Sequence, residues 1–282
     1  MLFRSRTRGI VAAHTLGNPF DVSTVARLKA ALKLHVLEDC CDALGSTVAG
    51  THVGGVGDVA TCSFFPAHHI TTGEGGAVMT SNPRLGKMLA SIRGWGRDCY
   101  CVPGRENTCG RRFDQCLGEL PYGYDHKYTY SALGFNLKAT ELQAALGVAQ
   151  FEKLDGFVAA RKRNHAWLAD RLAGCDGIEI VQATPGTDPS WFGFPFLVRE
   201  SGVRQQLQAY LKQQGVDSRL VFAGNITKQP YMAKRRSQWK AVATLSGADR
   251  VMNDALWVGV WPGLTEAELE KIAVAVETFF GG

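Results

Sequence analysis

The chain lacks a hydrophobic run long enough to cross a bilayer, because no stretch reaches the ~18 consecutive apolar residues that a membrane-spanning helix needs. It also lacks internal repeats and low-complexity tracts, which argues against solenoid and array architectures. A strong charge of one sign is missing too: the net charge is +5 over 282 residues. So mild and diffuse a charge favours an anionic small molecule, not a nucleic acid or a membrane, as the partner.

The beginning of the chain also lacks a convincing export signal. Its apolar run, 9–13, is very short and is closed by His14 and a Gly-Asn-Pro turn at 17–19. A hydrophobic content of 45% and a charged content of 20% are typical of globular proteins. We therefore expect a cytoplasmic globular protein, long enough for one large or two ordinary domains.

Strand-like and helix-like segments alternate through the first part of the chain. Strands are predicted at 9–16, 35–39, 58–65 and 76–80, and helices at about 21–34 and 83–95. This alternation predicts a largely parallel α/β sheet, in which ligands bind at the carboxyl ends of the strands.

The second part of the chain reads differently. A long polar segment, 96–130, holds four of the eight cysteines, and loops of this length are rarely structureless unless they are functional. Helical periodicity then runs from Ala139 to about Leu172. Further strands and helices are predicted at 191–198, 203–214, 256–260 and from Glu266. We predict a large domain over residues 1–155, and a bridging helix with a small α+β domain over residues 156–282.

Residues 63–76 connect a predicted strand to a glycine turn and read Ser-Phe-Phe-Pro-Ala-His-His-Ile-Thr-Thr-Gly-Glu-Gly-Gly. This segment resembles the lysine segment of the DegT/DnrJ/EryC1/StrS sugar aminotransferases. The resemblance implies a pyridoxal-phosphate-dependent transferase of fold type I, similar to aspartate aminotransferase. In that family a lysine before the Thr-Thr-Gly-Glu-Gly-Gly run carries pyridoxal phosphate covalently. His68 occupies that position here.

His68 changes the predicted chemistry. An imidazole cannot condense with an aldehyde as an amine does, so His68 cannot tether the cofactor. It can still move a proton, since its unperturbed pKa lies near ~6.5. A base without a tether is typical of the sugar-nucleotide 3-dehydrases of the family, which use free pyridoxamine phosphate for dehydration. We predict that His68 is the catalytic base, and His69 is the next residue to test.

The resemblance also implies four cofactor-binding residues. Asp39, at the end of a predicted strand, matches the aspartate that pairs with the pyridine nitrogen. Ser63 matches a phosphate-binding hydroxyl, and Asp42 stands where many family members have a glutamine near the ring oxygen. Asn136 lies in a Gly-Phe-Asn segment that, in the family, contacts the cofactor phosphate of the partner subunit, which implies a homodimer with shared active sites. Without the resemblance, Asn136 would be an ordinary helix cap.

Four cysteines carry a second prediction. Cys41, Cys99, Cys101 and Cys109 are separated by 57, one and seven residues. On spacing alone they could hold zinc or an iron–sulfur cluster, or be unrelated reduced thiols. The spacing resembles the [2Fe–2S] set of the family's 3-dehydrases of CDP-4-keto-6-deoxy-glucose, and His68 adds weight to the cluster. Electrons would come from a separate reductase that carries flavin and an iron–sulfur centre.

The resemblance therefore implies a pyridoxamine-phosphate-dependent, iron–sulfur 3-dehydrase, a lyase that leads to the 3,6-dideoxyhexoses of surface polysaccharides. Arg219 could bind the substrate diphosphate, or could form a surface or interdomain ion pair. A cluster-free 3-dehydratase, an aminotransferase-like enzyme and an inactive, ligand-binding fragment stay open. Family chains are longer, so we expect a truncated member whose large domain is incomplete at its N-terminus. The missing part would carry a phosphate-binding turn and an aromatic that stacks on the cofactor.

Overall fold

The computed structural model describes residues 6–99, 101, 104–241 and 243–281. The strands are β1 (Gly9–Ala13), β2 (His35–Asp39), β3 (Thr47–Val48), β4 (Thr51–His52), β5 (Val59–Ser63), β6 (Gly76–Met79), β7 (Ile178–Ile180), β8 (Thr187–Asp188), β9 (Gly193–Val198), β10 (Ser218–Leu220) and β11 (Ala255–Gly259). The helices are α1 (Val22–Leu32), α2 (Pro83–Arg93), α3 (Glu141–Phe151), α4 (Leu154–Arg171), α5 (Arg204–Gln213), α6 (Pro230–Lys234), α7 (Ser246–Asp254) and α8 (Glu266–Phe279). Within these described ranges, no helix is long and apolar enough to traverse a bilayer.

The first sheet has the order β1-β2-β5-β6 and is largely parallel, as predicted. β1 pairs with β2 and β2 with β5 in parallel, whereas β6 is antiparallel to β5. Residues 64–75 join β5 to β6 and form no helix. A parallel pairing would need a longer crossover connection, so this short loop is consistent with the antiparallel direction of β6. The carboxyl ends of β2 and β5 lie side by side, with Asp39 opposite Thr61. This edge positions the candidate site.

A buried carboxylate fixes β2 at this edge. Glu38 is completely buried, and it accepts hydrogen bonds from the backbone N–H groups of Gly54 at 3.0 Å and Val56 at 2.8 Å. His14 Nε2 lies 3.1 Å from the same carboxylate. Burial alone would raise the pKa of Glu38, but hydrogen bonds from His14 and from the backbone N–H groups of Gly57 and Gly54 outweigh it and lower the pKa to about 2. The charged side chain thus ties the loop before β5 to β2.

The second sheet has the order β10-β11-β9-β7 and is antiparallel. All six residues of β9 are buried. Helices α4, α5 and α8 contribute to the same hydrophobic core, whose completely buried members include Leu168, Phe194, Phe196, Leu207, Leu256 and Val276. β9, β11, α5 and α8 confirm the predicted elements of this part of the chain. The division into domains after residue 155 stays a prediction.

The single helix predicted from Ala139 to Leu172 is wrong, because the structure divides it into α3 and α4. The N–H of Lys153 bonds to the carbonyl of Gln150, three residues back, and this tight last turn ends α3. Thr140 caps α3 and forms a capping box with Gln143, so Asn136 is not the helix cap. The apolar periodicity of the sequence does not reveal this break, because it continues from α3 into α4.

The polar segment 96–130 is held by ionic and backbone contacts. Within its described residues it contains a single 3₁₀ turn, His126–Tyr128, and otherwise no helix or strand. The Arg112 guanidinium donates to both carboxylate oxygens of Asp125, at 3.0 and 2.7 Å, a geometry that fixes direction as well as distance. An isolated β-bridge between Arg97 and Tyr130 closes the segment. The loop is therefore structured, as its length suggested.

Candidate active site

Asp39 is held in one orientation at the end of β2. Its carboxylate accepts hydrogen bonds from the Thr61 hydroxyl at 3.0 Å and from the Cys41 backbone N–H at 3.1 Å. Partial burial acts to raise the pKa of Asp39, but these bonds and one from the Cys41 thiol outweigh it and lower the pKa. Asp39 is therefore ionised at neutral pH, as an acceptor for a protonated ring nitrogen must be.

His68 lies in the loop after β5 and faces the end of β2. Its Nδ1 is 2.6 Å from the backbone carbonyl oxygen of Cys41. A carbonyl oxygen can only accept, so Nδ1 carries the hydrogen, and the neutral ring has its lone pair on Nε2. The ring packs against Phe65 and Phe192, with ring centroids 6.2 and 5.2 Å apart. These contacts fix the imidazole and make Nε2 its basic atom.

Asp42 lies beside His68. Its carboxylate is 3.9 Å from His68 Nδ1, and it accepts a hydrogen bond from the Leu16 backbone N–H at 3.2 Å. Burial raises the pKa of Asp42, and the Leu16 N–H and His68 only partly oppose that shift. Asp42 is thus a charged neighbour of His68 without a hydrogen bond to it, and its predicted contact with the cofactor ring stays a prediction.

His69 differs from His68 in its environment. A cavity of about 730 Å³ is lined by both histidines, Lys153 and Arg161, among others. His69 is buried, and its Nε2 donates to the Ser190 carbonyl oxygen at 2.9 Å. Burial lowers the pKa of His69 to about 3, so this ring is neutral and structural. Within the described part of the chain, the Nε2 of His68 has no hydrogen-bond partner, whereas the Nε2 of His69 is bonded to Ser190.

Three other predicted site residues have contacts of their own. Ser63 ends β5 and is half-buried; its hydroxyl accepts a backbone N–H from the following loop at 3.3 Å. Asn136 is exposed and forms an isolated β-bridge with Gly94. Arg219 lies in β10, is 63% exposed, and pairs with Asp217 at 2.9 Å. Arg219 thus forms the surface ion pair that was its alternative interpretation, and an exposed pair of this kind contributes about 0–1 kcal/mol.

The polar segment brings three predicted ligands together and adds a histidine. The metal-binding atoms of Cys99, Cys101 and His126 lie within 4.8 Å of one another. Cys109 Sγ lies 3.6 Å from His126 Nε2. We call these four residues the cysteine group. Thiolates at this density suit iron–sulfur clusters and soft metal ions, so the group fits such a centre. Sequence reasoning missed His126, whose one signal was its place in the cysteine-bearing segment.

The electrostatics of the group favour a thiolate. Hydrogen bonds from the Thr108 side chain and the Cys109 backbone lower the pKa of Cys101 to about 6. Burial raises the pKa of Cys99. A metal binds the deprotonated sulfur, so Cys101 is prepared for that role at neutral pH.

Cys41 is not a member of the cysteine group. Its Sγ lies 3.9 Å from the Thr61 hydroxyl. Burial, together with the neighbouring Asp39 carboxylate, raises the pKa of Cys41 to about 12. Cys41 thus belongs to the strand edge that carries Asp39, and its role as a fourth cluster ligand stays a prediction.

Comparison with known proteins identifies the family. Residues 2–277 match the DegT/DnrJ/EryC1/StrS aminotransferase family. The chain belongs to this family. It is 50% identical over 279 residues to lipopolysaccharide biosynthesis protein RfbH of Salmonella typhimurium (strain LT2), covering 98% of the chain and 63% of that protein. It is 45% identical over 276 residues to dTDP-4-dehydro-2,6-dideoxy-D-glucose 3-dehydratase of Saccharopolyspora spinosa, covering 97% and 59%.

The chain spans about three fifths of the length of these two curated relatives. Among solved structures, Escherichia coli GDP-4-keto-6-deoxy-D-mannose-3-dehydratase with bound hydrated PLP matches with a TM-score of 0.83 and 24% identity, covering 97% of the chain and 68% of that structure. The aminotransferase from Psychrobacter cryohalolentis matches with a TM-score of 0.81 and 23% identity, covering 99% and 70%. At these identities the likeness concerns the fold, and the predicted fold class is confirmed.

Proposed function

We propose that the chain is a pyridoxamine-phosphate-dependent 3-dehydrase that removes the C3 hydroxyl of CDP-4-keto-6-deoxy-glucose in deoxysugar biosynthesis. One observation carries the proposal: His68 stands at the position of the family's lysine, with Nδ1 bonded to the Cys41 carbonyl and with no hydrogen-bond partner at Nε2 among the residues that the structure describes. The similarity to a curated 3-dehydratase and to a lipopolysaccharide biosynthesis protein supports this reaction class. The CDP group rests on the resemblance in cysteine spacing.

The proposed roles follow from the geometry of the strand edge. Bound pyridoxamine phosphate would supply an amine for the sugar ketone and a ring that accepts electrons. Asp39 holds the proton on the pyridine nitrogen, because its carboxylate is ionised and fixed by Thr61. His68 takes up a proton at Nε2 and returns it to the departing hydroxyl, which leaves as water. The Cys41 carbonyl keeps the imidazole oriented through both steps.

The remaining ligands of the proposed site come from two places. Ser63, at the end of β5, binds the cofactor phosphate, and Asp42 lies near the cofactor ring. Asn136 reaches the phosphate of a second copy in a homodimer. Support for that dimer comes from apolar side chains exposed to solvent around this segment, which a second copy would bury: Leu133, Phe135, Leu137 and Leu142, at 100%, 63%, 65% and 84% exposure.

The cysteine group is the proposed [2Fe–2S] site, with thiolates from Cys99, Cys101 and Cys109 and a fourth from Cys41. Such a cluster passes single electrons, here from a separate flavin and iron–sulfur reductase. The proximity of Cys99, Cys101 and His126, the position of Cys109 beside that histidine, and the lowered pKa of Cys101 support this assignment. A cluster-free 3-dehydratase would have no use for that clustering.

The mode of cofactor binding tests the proposal. After incubation with pyridoxal phosphate and borohydride, mass spectrometry should find no stoichiometric pyridoxyl group on the wild-type chain, because imidazole forms no reducible imine. A His68→Lys variant restores the family's amine and should become labelled within residues 63–76. Lys153→Met, which removes a lysine from the neighbouring cavity, serves as the control and should behave as wild type. Stoichiometric labelling of any lysine in the wild-type chain would contradict the proposal.

A further inference from the structure

We propose that His126 donates a hydrogen bond from Nε2 to the sulfur of Cys109, and so sets the electron affinity of the centre that the cysteine group holds. His126 acts in this assignment as a positioning residue and not as a metal ligand. The effect of His126 on a cluster rests on the proposed function. Which of its ring nitrogens carries the hydrogen does not depend on that function.

A backbone carbonyl fixes the orientation of the Gln115 side chain. The Gln115 side-chain nitrogen lies 2.8 Å from the Arg111 carbonyl oxygen. Because that oxygen can only accept, the group facing it must be the amide NH₂, and this fixes the orientation of the Gln115 side chain. The opposite orientation would place two oxygen acceptors against each other.

The second N–H of Gln115 reaches His126. The same amide nitrogen is 3.2 Å from His126 Nδ1. Since the amide nitrogen donates, Nδ1 must accept, and it therefore carries no hydrogen. In a neutral imidazole the hydrogen is then on Nε2. A chain of two hydrogen bonds from Arg111 through Gln115 thus selects one tautomer of His126.

The selected hydrogen points to a sulfur. His126 Nε2 lies 3.6 Å from Cys109 Sγ, within the range of an N–H···S hydrogen bond. His126 is 4% exposed, so water competes little for this donor. Its backbone N–H also bonds to the Arg112 carbonyl, at 3.3 Å, which fixes the residue relative to the loop that carries Cys109.

The same network argues against His126 as a metal ligand. Coordination through Nε2 would need its lone pair there, and the hydrogen would move to Nδ1. The Nδ1–H of His126 would then face the N–H of Gln115, which places two donors against each other. Rotating the Gln115 amide would relieve this conflict, but it would place the amide oxygen against the Arg111 carbonyl oxygen. The position of His126 beside the cysteines is therefore better explained by its N–H···S bond to Cys109 than by coordination.

A donor to a thiolate sulfur withdraws negative charge from it. An added electron on a cluster is then better tolerated, and the reduction potential rises. Removal of the N–H should therefore make the centre harder to reduce. We expect the equilibrium constant for one-electron reduction to fall about tenfold, which corresponds to about 59 mV.

The first measurement needs no metal. Long-range ¹H–¹⁵N correlation spectra of the metal-free chain, with ¹⁵N-labelled histidine, report which ring nitrogen carries the hydrogen. His126→Gln identifies the His126 signals by their loss. We expect Nε2–H in the wild type and a mixture of tautomers in Gln115→Leu, which removes the selecting donor. Nδ1–H in the wild type would overturn the proposal.

The second measurement uses the chain reconstituted anaerobically with iron and sulfide. Redox titration followed by electron paramagnetic resonance should show the about tenfold loss in His126→Phe. His126→Gln, whose amide N–H can reach the same place, should restore the wild-type value within about twofold. His35→Phe, the same change at an exposed histidine of β2, should have no effect. An unchanged potential in His126→Phe would overturn the proposal.

The two measurements separate the inference from the function on which it depends. A wild-type chain that assembles no cluster would refute the proposed iron–sulfur function, while the tautomer of His126 would still be decided by the spectra. Loss of iron from both His126→Phe and His126→Gln, with iron retained in Cys41→Ser, would show instead that His126 is a ligand, and would overturn the donor assignment.

Discussion

Replacing His68 by asparagine should lower the rate of C3 dehydration by about 10²–10⁴-fold, the usual cost of removing a general base. Asparagine is close to imidazole in size and polarity, but its amide is not a base near neutral pH. The cofactor should stay bound, because Asp39 keeps its hydrogen bonds to Thr61 and Cys41. The rate is measured as exchange of the C3 hydroxyl with labelled water, and binding as cofactor absorbance.

Two controls sharpen this result. His52→Asn changes an exposed histidine of β4 and should leave both rate and binding unchanged. His69→Asn should reduce stability more than rate, because the buried His69 ring fastens the loop to the Ser190 carbonyl. If His68→Asn dehydrates within a few-fold of wild type, another residue is the base.

Replacing Cys99 by serine should remove the cluster and stop formation of the 3-deoxy product, while dehydration continues. A serine oxygen is a harder ligand than sulfur and loses its proton much less readily. Asp39 and His68, the residues proposed for dehydration, are at the β2–β5 edge and have no described contact with Cys99. Iron content, the visible spectrum and both half-reactions are to be measured on the same preparation.

Cys175→Ser is the matched control for this experiment. Cys175 packs against the core of the second sheet, outside the cysteine group, so the change should preserve iron and both half-reactions. Two results would contradict the assignment. Zinc in place of iron would make the site structural, and product formation unchanged in Cys99→Ser would remove the cluster from the reaction.

The strand edge with its acid and base could be predicted from the sequence, for a geometric reason. Parallel strands end at the same side of a sheet, so a residue that ends β2 and a loop that follows β5 must meet there. The family resemblance singled out Asp39 and His68, and the structure places both at that edge. The register that sets Asp39 opposite Thr61, and so lowers its pKa, needed the folded sheet.

Other features depend on contacts that no local pattern encodes. His126 lies 17 residues from Cys109 in sequence, and its ring is oriented by Gln115, which no motif connects to it. The apolar stripe of 139–172 hides a break at Lys153, because the stripe continues in both helices. Arg219 was an open alternative, and its exposed ion pair with Asp217 became visible only in the structure.

The most direct test of the account is solvent-oxygen exchange at C3 of CDP-4-keto-6-deoxy-glucose. The wild-type chain, pyridoxamine phosphate and the sugar nucleotide are incubated in H₂¹⁸O without a reductase, and the recovered sugar is analysed by mass spectrometry. We predict ¹⁸O at C3 that depends on the cofactor, because reversible loss of the hydroxyl as water needs no electrons. Transfer of the cofactor's amino group to the sugar without ¹⁸O incorporation would contradict the account and make the chain an aminotransferase. A chain that binds the cofactor but shows neither ¹⁸O incorporation nor amino-group transfer would also contradict the proposed dehydration. That result would favour a chain that binds its ligands without turnover.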